Sequence, residues 1–499
     1  MSKPRLVFRP SARSDRGLLV RRAAALMLAT LLVSPSARLS WAQGLPDLGE
    51  LAQVDLPPAM EQRIGQSVLN EYRAQPEFVD DAEITAYVNR IGLGLAANID
   101  ETHQSFEFFV LRDKTLNAFA MPGGYIGVHT GLITAAETES ELAGVLAHEI
   151  SHVTQRHLAR MFNKQNQASI PMMAAMALAL LAARNNSQAA IGGVAAAGAA
   201  GIQSQLNYSR DFEREADRIG LRLLDKSGYD VRGMENFFER LQRFGRLYEN
   251  NAPGYLRTHP LTTDRIADMD NRIQSLPKRT LPDSVDLRLV QAKIVATEGQ
   301  GRDAVIEFQS QLREKNYRSE AAAWYGLALA QLRALNPAGA AQALAELRKF
   351  KLDQPMIETL AAQVQQRTGD AAGAEATLRQ SLKRHPQDRP TSYALIDLLQ
   401  TMQKHEEALR QVKYDLQFWP NDAQLYFLQA KSYAALGNQL QQFKSQAEGH
   451  VLRGQLMPAI QQLIQAQKVP DGDFFEHSQV DARLRELKQR QAEEAKSKS

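Results

Sequence analysis

The chain has 499 residues, too many for one compact domain, and its 44% hydrophobic and 23% charged content is that of a globular protein with material for two or three cores. It contains no cysteine, which excludes disulfide stapling, cysteine catalysis and thiolate metal ligation. The formal charge of +3 arises in the first 42 residues; the remainder carries 51 basic and 55 acidic side chains and no electrostatic footprint for nucleic acid.

Residues 1–42 read as a secretory signal peptide. Arg5, Arg9, Arg13, Arg16, Arg21 and Arg22 precede an apolar run, Ala23 to Val33, that is short for a bilayer span. Ser40-Trp41-Ala42 then offers small residues for cleavage after Ala42, with an uncleaved anchor as the alternative. A leader of this kind ahead of a cysteine-free chain favours the periplasm.

A metal-binding domain is expected over 43–280. After a polar lead-in come two helices, Ala59 to Tyr72 and 82–98, the second with Ile84, Tyr87, Val88 and Ile91 on one face. Strand-like segments follow at 106–110 and from Asn117 to Ile133, the latter a hairpin turning at Pro122-Gly123-Gly124. Asn117-Ala118-Phe119-Ala120 is the candidate edge for substrate, because an extended peptide pairs with a strand through backbone groups and makes little demand on sequence. Asn117 stands close enough to help hold it.

The next helix carries the most informative pentapeptide, His148-Glu149-Ile150-Ser151-His152. Histidines four apart lie on one helical face and can share a metal ion, and the adjacent carboxylate can take a proton from a water that the metal activates. Leu142, Val145 and Leu146 supply the helical spacing before it, and Glu139 and Glu141 sit near the N-terminal end, where negative charge suits the helix dipole. Zinc in a catalytic site needs a third protein ligand. A class of zinc hydrolases with a third histidine six residues on, and a glycine between, is excluded, since Leu158 and Gln155 occupy those positions. His157 would point about 140° away from His152 on a continuing helix and is read as a packing or hydrogen-bonding residue.

Residues 168–203 are apolar and rich in Ala and Gly, broken at Arg184-Asn185-Asn186-Ser187, and read as a helical hairpin or flap beside the active site, with peripheral membrane contact as a further role. A helix restarting near Ser209 carries Glu213, Glu215 and Asp217. Glu213 and Asp217 share a face, so Glu213 on zinc leaves Asp217 to hold a ligand histidine; Glu215 on zinc would turn Asp217 away. Glu213 is therefore favoured and Glu215 is the alternative. Two more helices lead to the turn Arg257-Thr258-His259-Pro260, and Thr263 to Gln274 ends the domain.

From about Leu281-Pro282 to 470 the pattern is helix pairs with an internal period. Ala340, Ala374 and Ala408 are 34 apart, as are Leu344, Leu378 and Val412, and Leu327, Leu360, Ala394 and Leu428 mark the first helix of each pair. A 34-residue helix-turn-helix period of this kind resembles tetratricopeptide repeats, whose solenoids offer a concave binding face. Residues 471–499 are expected as a charged tail, frayed at Lys488 to Ser499.

The motif at 148–152, the run from Ser209 to Gly220, and Thr258-His259-Pro260 with Arg265-Ile266 together resemble the M48 family of zinc metallopeptidases. The resemblance implies a mostly helical α+β zincin-like domain with a small sheet, followed by an all-α repeat solenoid. It also implies one zinc per chain on His148, His152 and Glu213, Glu149 as general base, and Asp217 as a supporting or proton-donating carboxylate. His259 and Arg265 are candidates to stabilise the oxyanion; His259 could equally close the fourth zinc position and keep the enzyme latent, which the resemblance implies for repeat-bearing periplasmic members. For those members it further implies outer-membrane β-barrel proteins as clients and their assembly machinery as the partner of the repeats. A chaperone or scaffold whose repeats do the main work is the second reading.

Overall fold

The computed structural model describes residues 57–100, 104–162, 210–247 and 254–496. The signal peptide expected at 1–42 and the apolar segment 168–203 lie outside the described residues. No described helix is long and apolar enough to cross a membrane.

Helix α1 (Pro58–Arg73) starts on a proline, whose missing N–H costs nothing at a helix N-terminus. It buries Ile64, Val68 and Leu69, and Gly65 lets it lie directly on the turn at Pro122, where a Cβ would stand 1.9 Å from the Pro122 carbonyl oxygen. Helix α2 (Ala82–Ala96) is capped by Asp81, whose Oδ1 accepts from the Glu83 and Ile84 amides at 3.0 Å. Its apolar face is the expected one, extended by Leu95.

The sheet has three strands, β1 (Glu107–Leu111), β2 (Ala118–Ala120) and β3 (Tyr125–His129), in the order β1-β3-β2. β2 and β3 form the antiparallel hairpin, with Gly123 and Gly124 at φ +80 and +86 in the turn. β1 pairs with β3 in parallel, which leaves β2 at an edge. The strand ends at His129, short of the expected Ile133, and Thr130–Ala135 forms helix α3. Thr130 fixes the change: its hydroxyl accepts from the Asp113 amide and donates to the Asp113 carbonyl.

Helix α4 (Glu139–Thr154) is the axis of this half of the molecule, capped by Thr138 and buried from Ser140 to His152. Helix α5 (His157–Phe162) follows a break at Arg156, φ +53. Beyond it lie α6 (Arg210–Lys226), α7 (Arg232–Leu247), α8 (Gly254–Thr258) and α9 (Thr263–Ile273). Two glycines bring neighbours onto α4. A Cβ at Gly144 would be 2.8 Å from the Met234 Cα of α7, and one at Gly220 of α6 would be 3.2 Å from the His148 nitrogen.

The remaining helices pair in sequence: α10 (Val285–Thr297) with α11 (Gly301–Glu314), α12 (Glu320–Arg333) with α13 (Pro337–Arg348), α14 (Pro355–Arg367) with α15 (Ala371–Arg384), and α16 (Arg389–Thr401) with α17 (His405–Phe418). They continue through α18 (Ala423–Ala435) with α19 (Gln439–Leu452) and α20 (Leu456–Ala466) with α21 (Phe474–Lys496). Ala340, Ala374 and Ala408, fully buried, sit on α13, α15 and α17 where each second helix crosses its partner. The segment expected as a charged tail, 471–499, carries helix α21, whose Val480, Leu484 and Leu487 pack on α20; from Lys488 to Glu493 its side chains are mostly exposed.

The two halves share helix α10. Leu287, Val290 and Ile294 enter the core of the N-terminal half, whereas Leu289, Ala292 and Ala296 enter the first repeat core. Polar contacts complete the seam. Lys293 reaches Asp81 at 2.7 Å and Glu83 at 2.5 Å, and Gln291 Nε2 donates to the carbonyls of Ile133 and Ala136, near the end of α3. At the far end, Gln66 of α1 donates to the Arg453 carbonyl at 3.3 Å.

Because Gly144 meets backbone, a side chain there has nothing flexible to displace. Gly144→Ala is expected to cost about 1–3 kcal/mol, and Gly144→Val more, read as lowered thermal midpoints; wild-type midpoints would show that α7 yields.

Candidate metal centre

Consecutive turns of α4 place His148 and His152 on one face with their Nε2 atoms 3.0 Å apart. Glu213 of α6 faces them, 3.5 Å from His148 Nε2 and 3.6 Å from His152 Nε2. His259, just after α8, brings Nδ1 to 3.0 Å from Glu213 and 3.4 Å from His148 Nε2. These four residues are the one group among the described residues whose donor atoms all lie within 4.8 Å of one another, and all four are buried. Four ligands on a tetrahedral zinc stand about 3.3 Å apart, close to these separations. Three imidazoles and a carboxylate, with no thiolate, are also a donor set suited to zinc.

Ionisation follows from crowding. Burial alone would raise Glu213, but His259, Arg265 and the bonds it receives hold its carboxyl well below the usual range. Burial would likewise lower His148, yet its bonds to Asp217 and Glu213 outweigh burial and raise it to about 9. Burial, with His148 beside it, drives His152 well down.

Asp217 supports the metal-facing histidine, with Oδ1 3.0 Å from His148 Nδ1. Arg265, on α9, grips Asp217 from behind: Nε donates to Oδ2 at 2.7 Å and Nη2 to Oδ1 at 2.8 Å. Nη1 reaches Glu213 at 2.8 Å and the Pro260 carbonyl at 2.9 Å. This geometry contradicts the expected oxyanion role for Arg265: its donors are spent on carboxylates, and the residue is 2% exposed. Asp217 is likewise held between Arg265 and His148, which keep its carboxyl below its usual range against burial, so it supports a ligand rather than donating a proton.

Glu149 points to the sheet. One of its oxygens, Oε2, accepts from the Ala120 amide at 3.1 Å, while the other makes no hydrogen bond among the described residues and stands 3.6 Å from His259 Nε2. Along β2, Asn117 accepts from the His129 amide, Phe119 pairs with Gly127, and the Met121 amide donates to Tyr125. These odd positions turn their backbone toward β3, so Ala118 and Ala120 turn theirs away from it, where the Ala120 amide meets Glu149. Phe119 thus offers substrate nothing; its ring is buried against Tyr72, Phe109 and His129. Ala120 takes its place, and the side-chain oxygen of Asn117, buried without a hydrogen bond, lies where the edge begins.

One further residue, Tyr255, was not legible, and His157, expected to pack or hydrogen-bond, does both. Tyr255 stacks on the His259 ring at 4.6 Å, and its buried hydroxyl has no hydrogen-bond partner among the described residues. His157 does not continue the helix of His152. The left-handed Arg156 turns it back, and its Nδ1 lies 2.8 Å from His152 Nδ1.

Comparison with known proteins agrees with this geometry. The model of peptidase family M48 matches residues 82–273. A beta-barrel assembly-enhancing protease of Escherichia coli strain K12 is 31% identical over 454 residues, 90% of this chain and 92% of its own. A Vibrio cholerae relative named for the same activity is 36% identical over 318 residues, 63% of each chain. Mitochondrial metalloendopeptidase OMA1 of Schizosaccharomyces pombe is 30% identical over 221 residues, 44% of this chain and 61% of its own.

Arg265→Leu leaves two buried carboxylates uncompensated and is expected to destabilise the fold by about 3–5 kcal/mol, measured by denaturant unfolding. An oxyanion donor would instead lose turnover with stability unchanged.

Proposed function

The chain belongs to peptidase family M48 and is a zinc-dependent metalloendopeptidase, and from that premise we propose that it works in the periplasm on outer-membrane β-barrel proteins. In this reading residues 1–42 export it, its protease hydrolyses clients that fail to assemble, and its repeats dock to the assembly machinery. The observation that carries the reading is the bond from the Ala120 amide to Glu149: the strand at the edge of the sheet also holds the proposed catalytic carboxylate. An unpaired β-strand is the ligand such an edge accepts most readily. The name of the Escherichia coli relative supports the same client class.

His148, His152 and Glu213 would hold zinc, which when bound would supply a Lewis acid for the scissile carbonyl and acidify water. Client backbone pairs with Ala118 and with the Ala120 carbonyl, the Ala120 amide being held by Glu149, which sets the scissile bond beside Glu149. Glu149 takes the proton of the attacking water on its unbonded oxygen and hands it to the leaving amine. Arg265 being spent, the Tyr255 hydroxyl and His259 are the donors left for the developing oxyanion.

His259 also favours a second state. As a fourth donor it closes the metal, which makes the resting site resemble a structural one. The protease is then latent until His259 withdraws, and the repeats can act as a chaperone or scaffold in the interval.

Incubating the mature chain with an unfolded outer-membrane β-barrel protein tests both statements. Glu149→Gln is expected to lower cleavage by about 10²-fold or more while zinc stays bound, and His259→Ala to raise it. A fall with His259→Ala would make that histidine catalytic rather than a latch.

A further inference from the structure

We propose that His157 and Glu215 form a positioning relay that holds His152 in the tautomer a metal requires; the proposal rests on the zinc-peptidase reading above. His157 is fully buried and is not one of the four residues whose donor atoms converge. Nε2 lies 3.0 Å from Glu215 Oε2, and Nδ1 lies 2.8 Å from His152 Nδ1.

The proton positions follow in order. A carboxylate only accepts, so His157 carries its hydrogen on Nε2 and donates to Glu215. In the neutral ring, Nδ1 is then an acceptor. His152 must supply the donor from its own Nδ1, which leaves the lone pair on Nε2, the atom that faces His148 Nε2 and Glu213. The opposite tautomer of His157 would set two acceptors against each other at Glu215 and bring a proton onto the metal face of His152.

The relay is built to stay fixed. Arg160 donates to the same Glu215 oxygen at 3.1 Å. Phe212 stacks on the His157 ring at 4.4 Å and 12°, and the Arg160 guanidinium covers the Phe212 ring at 4.4 Å. His148 has the shorter counterpart, Arg265 to Asp217 to Nδ1. Each ligand histidine is thus backed by a carboxylate that a guanidinium holds, and the two carboxylates, Glu215 and Asp217, stand two residues apart on α6. Glu215 lies on the wrong side of α6 to touch His152 itself, and the imidazole of His157 spans the difference.

The test is zinc affinity of the full chain, by competition with a chromophoric chelator, with thermal melts of the chelated protein reporting the fold. His157→Leu is expected to weaken zinc by about 10–100-fold with an unchanged melt. His157→Gln is expected to stay within about threefold of wild type, because the amide oxygen accepts from His152 and the amide NH2 donates to Glu215. Equal affinity in His157→Leu, or an equal loss in the Gln variant, would overturn the relay. Should His157→Leu not fold, Glu215→Leu, which has no acceptor, decides on a partly exposed residue: a loss of about tenfold supports the relay and no loss overturns it. Failure of the wild-type chain to bind zinc would remove the peptidase reading beneath the proposal, an outcome distinct from any difference among variants.

Discussion

Glu149, Glu213 and Asp217 lie together inside the protein, and the rest of the molecule is arranged around keeping them there. A carboxylate taken out of water loses several kcal/mol unless it is paired and fully hydrogen-bonded. One buried guanidinium, Arg265, answers Asp217 twice and Glu213 once, and histidines supply the remainder. The cluster therefore has charge of both signs and a set of convergent donors, which is the condition under which a dication is bound tightly and in one geometry. Gly144 and Gly220 belong to the same constraint, because only close helices can bring α6 and α7 within reach of α4.

The second consequence is coupling between recognition and chemistry. The sheet is small, yet its edge strand holds Glu149, the proposed base, through Ala120. In the proposed reading, a chain that docks along this strand arrives at the group that moves its protons. The short helix α8 closes the other side: Tyr255 donates its amide to the Leu116 carbonyl just before the edge strand, and His259 follows one turn later. A movement of α8 would shift the edge, the stacked Tyr255–His259 pair and the fourth donor at once. The repeats are bound to this framework through α10, which is buried on both faces, so docking on the solenoid is mechanically connected to the protease.

Much of this was legible in the sequence because it depends on local period. Histidines four apart, Glu213 and Asp217 four apart, and alanines 34 apart each encode a face, and faces survive folding. What stayed hidden depended on where a period stops. His157 looked remote from His152 because a helix was assumed to run on; the left-handed turn at Arg156 brings it back, and with it Glu215 acquires a use. Arg265 was placed in the site but given the wrong task, since its partners come from another helix. Helix α21 was hidden by its charge: Val480, Leu484 and Leu487 have helical spacing, yet the surrounding Lys, Arg and Glu suggested a solvated tail.

The central claim is a closed zinc site of three imidazoles and one carboxylate. X-ray absorption spectroscopy on the full-length, zinc-loaded chain tests it most directly. The account predicts one zinc per chain with four N/O neighbours at about 2.0–2.1 Å, three of them imidazoles, and two imidazoles in His259→Ala. Two imidazoles in the wild-type chain, unchanged by that substitution, would contradict the closed resting site.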